Sequence, residues 1–258
     1  MRSGAFRNEV GVTLHADPAD QRGTLLAVYR GRLDRSAVAT WRRLALEFQP
    51  TVAIDVGANY GEVAFSTRYL GLRQLHLVEP NPSVLACLRR TVAAARGDYP
   101  ELVLHEGAAS DHDGTARLNF HEHSGTASLC VPSERGVPVA CFRLDRRITL
   151  DPDDTLLFKL DVEGHERAAL EGMAGLLRDR PAVGICEVMH ADDELIDYLG
   201  AHFTLAVLRG GVEQPVDAAR LREILAQARA VGWGDLSKDV VIRTHASARL
   251  RTGMAPSA

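Results

Sequence analysis

The chain has no apolar run near the twenty residues that a membrane-spanning helix needs, and its first ten residues, MRSGAFRNEV, lack the apolar centre of a secretory signal. The expectation is a cytoplasmic protein with no membrane partner. Basic charge is not in surplus: 30 lysines and arginines face 34 acids, a formal net charge of −4, so no broad surface for nucleic acid is implied. Cysteine is scarce. Cys87, Cys130, Cys141 and Cys186 form no C-x-x-C pair and read as free thiols, at least two of them buried, without the spacing of a zinc site. Lysine is scarcer still, with Lys159 and Lys238 alone among many arginines. Two nucleotide signatures are also missing. No G-x-x-x-x-G-K-S/T phosphate loop occurs, and the glycine turn after the first buried strand carries Asn59 where a dinucleotide fingerprint needs its middle glycine, which argues against a nicotinamide oxidoreductase.

What is present centres on residues 51–62, TVAIDVGANYGE. Val52, Ala53, Ile54 and Val56 suit a strand buried on both faces, and the run stops at a turn, Gly57 to Gly61, with a helix expected from about Gly61. Such a turn lets a ligand approach bare backbone, with the next helix's first amides pointing at it. Asp55 is out of keeping with its apolar neighbours and suggests a ligand amine or a loop amide as partner. A second strand, 75–78, ends in Glu79, where folds of this kind place the acid that holds two ribose hydroxyls. Asn81 and Pro82 then start a helix with buried positions Val84, Leu85, Leu88 and Val92.

Length allows one domain with an appendage: an extension over 1–50, a main unit over 51–248 and a flexible tail over 249–258. In the extension, 10–14 and 24–29 read as a hairpin and the stretch from Ser36 as a helix with Val38, Trp41, Leu44 and Ala45 inward, capping the sheet or walling a substrate mouth. Further strands are expected at 102–105, 115–120, 137–144, 182–188, 203–208 and 240–243, with a helix over 216–230. Small residues around Ala108 leave room for a flat ring. The polar loop 121–128 could close over a site; His121 and His123 flank Glu122 there but have no adjacent third ligand, so a solvated loop is expected.

The second informative stretch is 155–166, TLLFKLDVEGHE. Leu156, Leu157 and Phe158 open a buried strand, yet Lys159, Asp161 and Glu163 then alternate on one side, which costs several kcal/mol unless they pair or serve a ligand. Lys159 has two readings, a structural pair with a carboxylate or a part in the site. After the strand at 182–188, Glu187 and His190 again put titratable groups at a strand end; His190 is the general-base candidate because imidazole titrates near neutrality.

D-V-G-A-N-Y-G, V-E-P-N-P, G-A-A-S-D, R-L-D at 143–145, K-L-D-V-E-G-H-E and I-C-E-V-M-H, in that order, resemble the FkbM family of S-adenosylmethionine (SAM)-dependent methyltransferases over about residues 50–190. The resemblance implies the α/β fold of class I methyltransferases: a mostly parallel, Rossmann-like seven-stranded sheet with helices on both faces, behind an N-terminal hairpin and helix. It implies O-methylation of a hydroxyl on a sugar, polyketide or other natural-product intermediate. It also implies Asp55, Gly57, Asn59 and Gly61 around the methionine part of SAM, Glu79 at the ribose and Ala108 at the adenine edge. The catalytic expectation gives the hydroxyl proton to His190 or Asp161, with Lys159 and Glu163 positioning and Glu187 orienting His190. Two alternatives stay open. One is a divalent metal between Asp161, Glu187 and His190; the other is a SAM-binding, non-catalytic partner in a biosynthetic complex. Acceptor identity and oligomeric state are not legible.

Overall fold

The computed structural model describes residues 4–121 and 124–247. Glu122 and His123 of the alternating triplet, and the tail expected from 249, lie outside the described residues. In chain order the strands are β1 (Gly4–Arg7), β2 (Thr13–Ala16), β3 (Val52–Val56), β4 (Gln74–Glu79), β5 (Glu101–Glu106), β6 (Ala108–Ala109), β7 (Gly114–Asn119), β8 (Gly136–Phe142), β9 (Leu156–Leu160), β10 (Ala182–Glu187), β11 (Phe203–Arg209), β12 (Val212–Val216) and β13 (Leu236–Thr244). The helices are α1 (Gln21–Val28), α2 (Arg35–Phe48), α3 (Pro82–Ala95), α4 (Glu166–Gly172), α5 (Ala174–Leu177), α6 (Asp193–His202) and α7 (Ala218–Val231).

The main sheet runs β12-β11-β13-β10-β9-β3-β4-β5, eight strands rather than the expected seven. The extra one is β12, which the exposed run Val212–Val216 adds antiparallel at the edge beside β11. From β10 through β9, β3 and β4 to β5 the pairing is parallel; β13 runs against both β10 and β11. Strand order reverses between β3 and β9. An open α/β sheet binds ligands at such a switch point, beyond the carboxyl ends of the strands.

Alternation along the strands divides the core in two. Val52, Ile54, Val56, Leu156, Phe158 and Leu160 face α4 to α7, while Ala53, Leu75, Leu77, Leu157 and Ile185 face α2 and α3. Trp41 of α2 is fully buried there, and its Nε1 donates to the Tyr69 hydroxyl at 2.7 Å. Asp55 and Lys159 stand opposite each other in register on this second face.

Two local expectations fail for identifiable reasons. The return strand at 24–29 falls in helix α1, because Asp20 caps it by accepting from the Gly23 amide at 3.2 Å. The hairpin is instead β1 with β2. The helix expected from Gly61 is a single 3-10 turn over Ala64–Ser66. The carbonyls that would carry a helix onward are already taken: the Tyr69 hydroxyl donates to Ala64, Asn8 Nδ2 to Phe65 and Arg42 Nε to Ser66, each at 2.7 Å. Elsewhere Asn81 caps α3 with Pro82 at its first position, as read. Strands β6, β7 and β8 form a separate three-stranded sheet against the site. Cys87, Cys141 and Cys186 are buried free thiols and Cys130 is an exposed one. Among the described residues no helix is long and apolar enough to cross a membrane.

Candidate active site

The carboxyl ends of β3, β4, β9 and β10 open into a cavity of about 300 Å³. Its floor is the turn after β3. Gly57 has φ +78° and lies so close to β9 that a Cβ would collide with the carbonyl oxygen of Asp161, so the position accepts only glycine. Asn59 takes the left-handed conformation too, at φ +49°. Glu79 pins this turn from below. One of its oxygens accepts from the Asn59 amide and the other from the Asn81 amide, each at 2.8 Å. Burial pushes the Glu79 carboxyl up to about 7 against those two amide bonds.

One wall is built from small residues, Gly107, Ala108 and Ala109. Gly107 abuts Phe142 and the carbonyl of Ala140, leaving no room for a side chain. The roof is the loop Ser124 to Leu129, which does close over the cavity. Asp20 ties it down, accepting from Ser124 Oγ at 2.6 Å and from the Tyr60 hydroxyl at 2.8 Å. Ser128 Oγ adds a bond to the carbonyl of Glu163 at 2.7 Å. Helix α1, the floor turn and the roof thus share one carboxylate, a long-range arrangement that no local pattern announces.

The fourth side is acidic. Asp161, Glu163 and Glu187 bring carboxylate oxygens within 4.8 Å of one another. Lys159 Nζ lies 3.1 Å from Asp161 and 3.6 Å from Asp55. Burial works against the Lys159 charge, but Asp161 and then Asp55 outweigh it and hold the ammonium above its ordinary range. Asp161 is likewise opposed by burial, yet Lys159 and Arg22 keep its carboxyl below the usual value, and Glu187 hydrogen-bonds to it. Burial, reinforced by Asp161 and Glu163, pushes Glu187 up to about 10, so at neutrality it holds a proton. Glu163 is pushed up to about 7 by burial, then by Asp161 and Glu166. It stands at φ +55°, a strained position for a residue with a side chain, and its Oε2 lies 3.3 Å from His190 Nε2.

The predicted residues therefore divide. Gly57, Asn59, Glu79, Ala108, Asp161, Glu163 and Glu187 face the cavity. Asp55 is fully buried beneath the floor, where Oδ2 accepts the Ala64 amide at 3.1 Å, the loop-amide partner foreseen for it. Gly61, at φ +85° and crowded by Phe65, shapes the turn from behind. Lys159 takes its structural reading, a tie between two strand ends. His190 is at the rim with a side chain 42% exposed, and its carboxylate partner is Glu163; Glu187 turns to Asp161 instead. The metal set drawn with His190 is not the cluster that forms, since Glu163 replaces the histidine. Among the described residues His121 bonds within its own loop, its Nε2 3.2 Å from the carbonyl of Val131. Sequence reasoning missed Arg22 and His165, both on the cavity wall. His165 Nε2 sits 3.1 Å from Ser110 Oγ, and burial lowers its proton affinity. Its place inside K-L-D-V-E-G-H-E was the available signal; Arg22 had none.

A switch-point cavity with a glycine floor, a small-residue wall and a strand-end acid defines an open α/β protein with its ligand site at the carboxyl ends of the strands. The methyltransferase FkbM domain profile matches residues 55–228. The chain belongs to the FkbM methyltransferase family. No curated protein matches the chain. Among solved structures it is similar to methyltransferase FkbM from Methylobacillus flagellatus KT, at 14% identity and TM-score 0.48, over 75% of this chain but 44% of that one. A methyltransferase from Geobacter sulfurreducens is similar at 14% identity and TM-score 0.46, over 89% and 90% of the two chains. Cofactor-bound Rv0187 from MTB aligns at 12% identity and TM-score 0.47, over 83% and 80%.

Proposed function

We propose that the protein transfers a methyl group from SAM to a hydroxyl oxygen of a small molecule such as a sugar or polyketide. The observation that carries this reading is Glu79: a buried carboxylate fixed by two amides at the edge of the cavity, with lone pairs left to accept from a ribose diol. The surroundings fit the rest of the group. Gly57 and Gly107 present bare backbone to the cavity because the protein packed behind them leaves no room for a Cβ, and Ala108 and Ala109 make a flat wall for adenine. When bound, SAM supplies a methyl group on a positively charged sulfur.

The chain's own part is to orient the acceptor hydroxyl, exclude water and take its proton. Asp161 is a poor acceptor because Lys159 already neutralises it, and Glu187 already holds a proton. Glu163 suits the role of base, since it faces the cavity, has a proton affinity near neutrality and has His190 beside it at the rim as the outlet to water. His190 positions and relieves Glu163 rather than meeting the acceptor itself. The test is transfer from methyl-labelled SAM to a panel of hydroxylated compounds. Glu163→Gln should cut turnover by about 100-fold or more with SAM binding intact. Intact SAM binding with no transfer to any acceptor would instead favour the non-catalytic partner.

The 4.8 Å carboxylate cluster is where a metal-dependent variant of this reading would hold a divalent cation to acidify the acceptor, with Asp161, Glu163 and Glu187 as ligands. Lys159 and the proton on Glu187 already compensate the cluster's charge, so turnover is expected to survive chelator unchanged.

A further inference from the structure

The backbone amides of the floor turn are fully committed. Those of Gly57 and Ala58 both donate to the Val78 carbonyl at 3.0 Å, Asn59 donates to Glu79, Tyr60 to Asn59 Oδ1 at 3.0 Å and Gly61 to the Ala58 carbonyl at 2.7 Å. The 3-10 turn that follows supplies no helix N-terminus. An anionic group entering this end of the cavity is therefore not held by these amides, and its charge can be matched only by a side-chain cation. Among the described residues, the lysine and arginine side chains that line the cavity are Arg22 and Lys238.

Arg22 comes from α1 in the N-terminal extension, and its side chain is 23% exposed. Its Nη2 has a long contact of 3.4 Å with Glu62, and its buried Nε has no partner among the described residues. Gly125 of the roof packs flat on it: a Cβ there would come within 2.9 Å of Arg22 Cδ and 3.2 Å of Nη1. The guanidinium is thus held in place with donors in hand. Its charge is felt by Asp161 and Glu163 at the end of β9. Lys238, in β13, is exposed, and among the described residues no hydrogen bond or ion pair of its ammonium fixes it beside the floor.

We infer that Arg22 holds the α-carboxylate of the cofactor, so that the N-terminal extension completes the cofactor site rather than merely covering the sheet. This rests on the SAM reading above. The rival role for Arg22 is purely structural, as the partner of buried Glu62, whose other oxygen accepts the Asp34 amide at 2.7 Å.

Calorimetric titration with S-adenosylhomocysteine and with 5′-methylthioadenosine, which lacks the aminocarboxylate, separates the two roles. Arg22→Gln should weaken S-adenosylhomocysteine by about 10- to 100-fold, the loss of a charge-assisted hydrogen bond, and leave 5′-methylthioadenosine unchanged. Arg22→Lys should recover part of the loss. Gly125→Ala, which crowds the guanidinium without removing it, should shift the same ligand in the same direction and decides the matter if Arg22→Gln does not fold. Equal weakening of both ligands, or none of either, overturns the inference and leaves the SAM reading standing. Wild-type protein that binds neither ligand overturns the SAM reading itself.

Discussion

Replacing Glu187 by glutamine should make the protein more stable, and increasingly so as pH rises. The folded carboxyl titrates near 10, because of burial and then the charges of Asp161 and Glu163, against 4.5 when it is free. The folded state therefore holds more protons than the unfolded chain between those values, and its stability falls as pH rises through that window. At about 1.4 kcal/mol per pH step, the interval from 4.5 to 7 costs at most about 3.5 kcal/mol, with Asp161 sharing the proton and reducing the figure. Glutamine keeps the shape and a donor toward Asp161 and needs no proton. Thermal unfolding of wild type and Glu187→Gln at pH 4.5, 6, 7 and 8.5 is the assay. The expected gain is absent at pH 4.5 and reaches at most about 10 °C in Tm at pH 7 for a chain of this size. A gain independent of pH, or a variant less stable at pH 8.5, would refute the protonated Glu187. The gain should come with a loss of turnover, since Glu187 lines the cavity beside Asp161 and Glu163.

Buried His76 and half-buried His105, stacked with ring nitrogens 3.0 Å apart, act with the opposite sign. Burial drops His76 to about 3 and His105 to about 4, so the unfolded chain takes up protons first and stability falls as pH drops from 6.5 towards 4. His76→Gln should remove up to about 3 kcal/mol of that acid sensitivity, read as the wild-type minus variant difference across pH so that the raised carboxyls cancel. Gly57→Ala should abolish cofactor binding and lower Tm, because the new methyl meets the Asp161 carbonyl at a left-handed position. Retained S-adenosylhomocysteine affinity in that variant would contradict the floor described here.

The parts of the molecule legible in the sequence are those where chemistry is local. Buried β-branched runs, the Asn81–Pro82 helix start and the acids at strand ends all declare themselves within a few residues, and the fold placed them at one sheet edge. What was not legible depends on partners distant in the chain. Helix propensity after Gly61 lost to three side chains, from Asn8, Arg42 and Tyr69, that claim the carbonyls. The short run 24–29 reads as strand by composition, and the cap at Asp20 decides for helix. The pairing of Glu163 with His190, rather than Glu187 with His190, follows from the left-handed turn at Glu163 and Gly164, whose direction spacing alone does not give. Arg22 reaches the site only because α1 folds back beside the glycine turn. Lys159 shows the converse: its rarity and its apolar context marked it as a charge that needs a partner or a ligand, leaving both readings open, and the partners are Asp55 beneath the cavity and Asp161 on its wall.

The most direct test of the central claim is calorimetric titration of the wild-type protein with SAM, with NADH as control, repeated with Glu79→Ala. The account predicts that SAM binds, that NADH does not, and that Glu79→Ala weakens SAM by at least about 10-fold, since both the ribose acceptor and the pin on the floor turn are lost. Silence with SAM, preference for NADH, or full affinity in Glu79→Ala would contradict it.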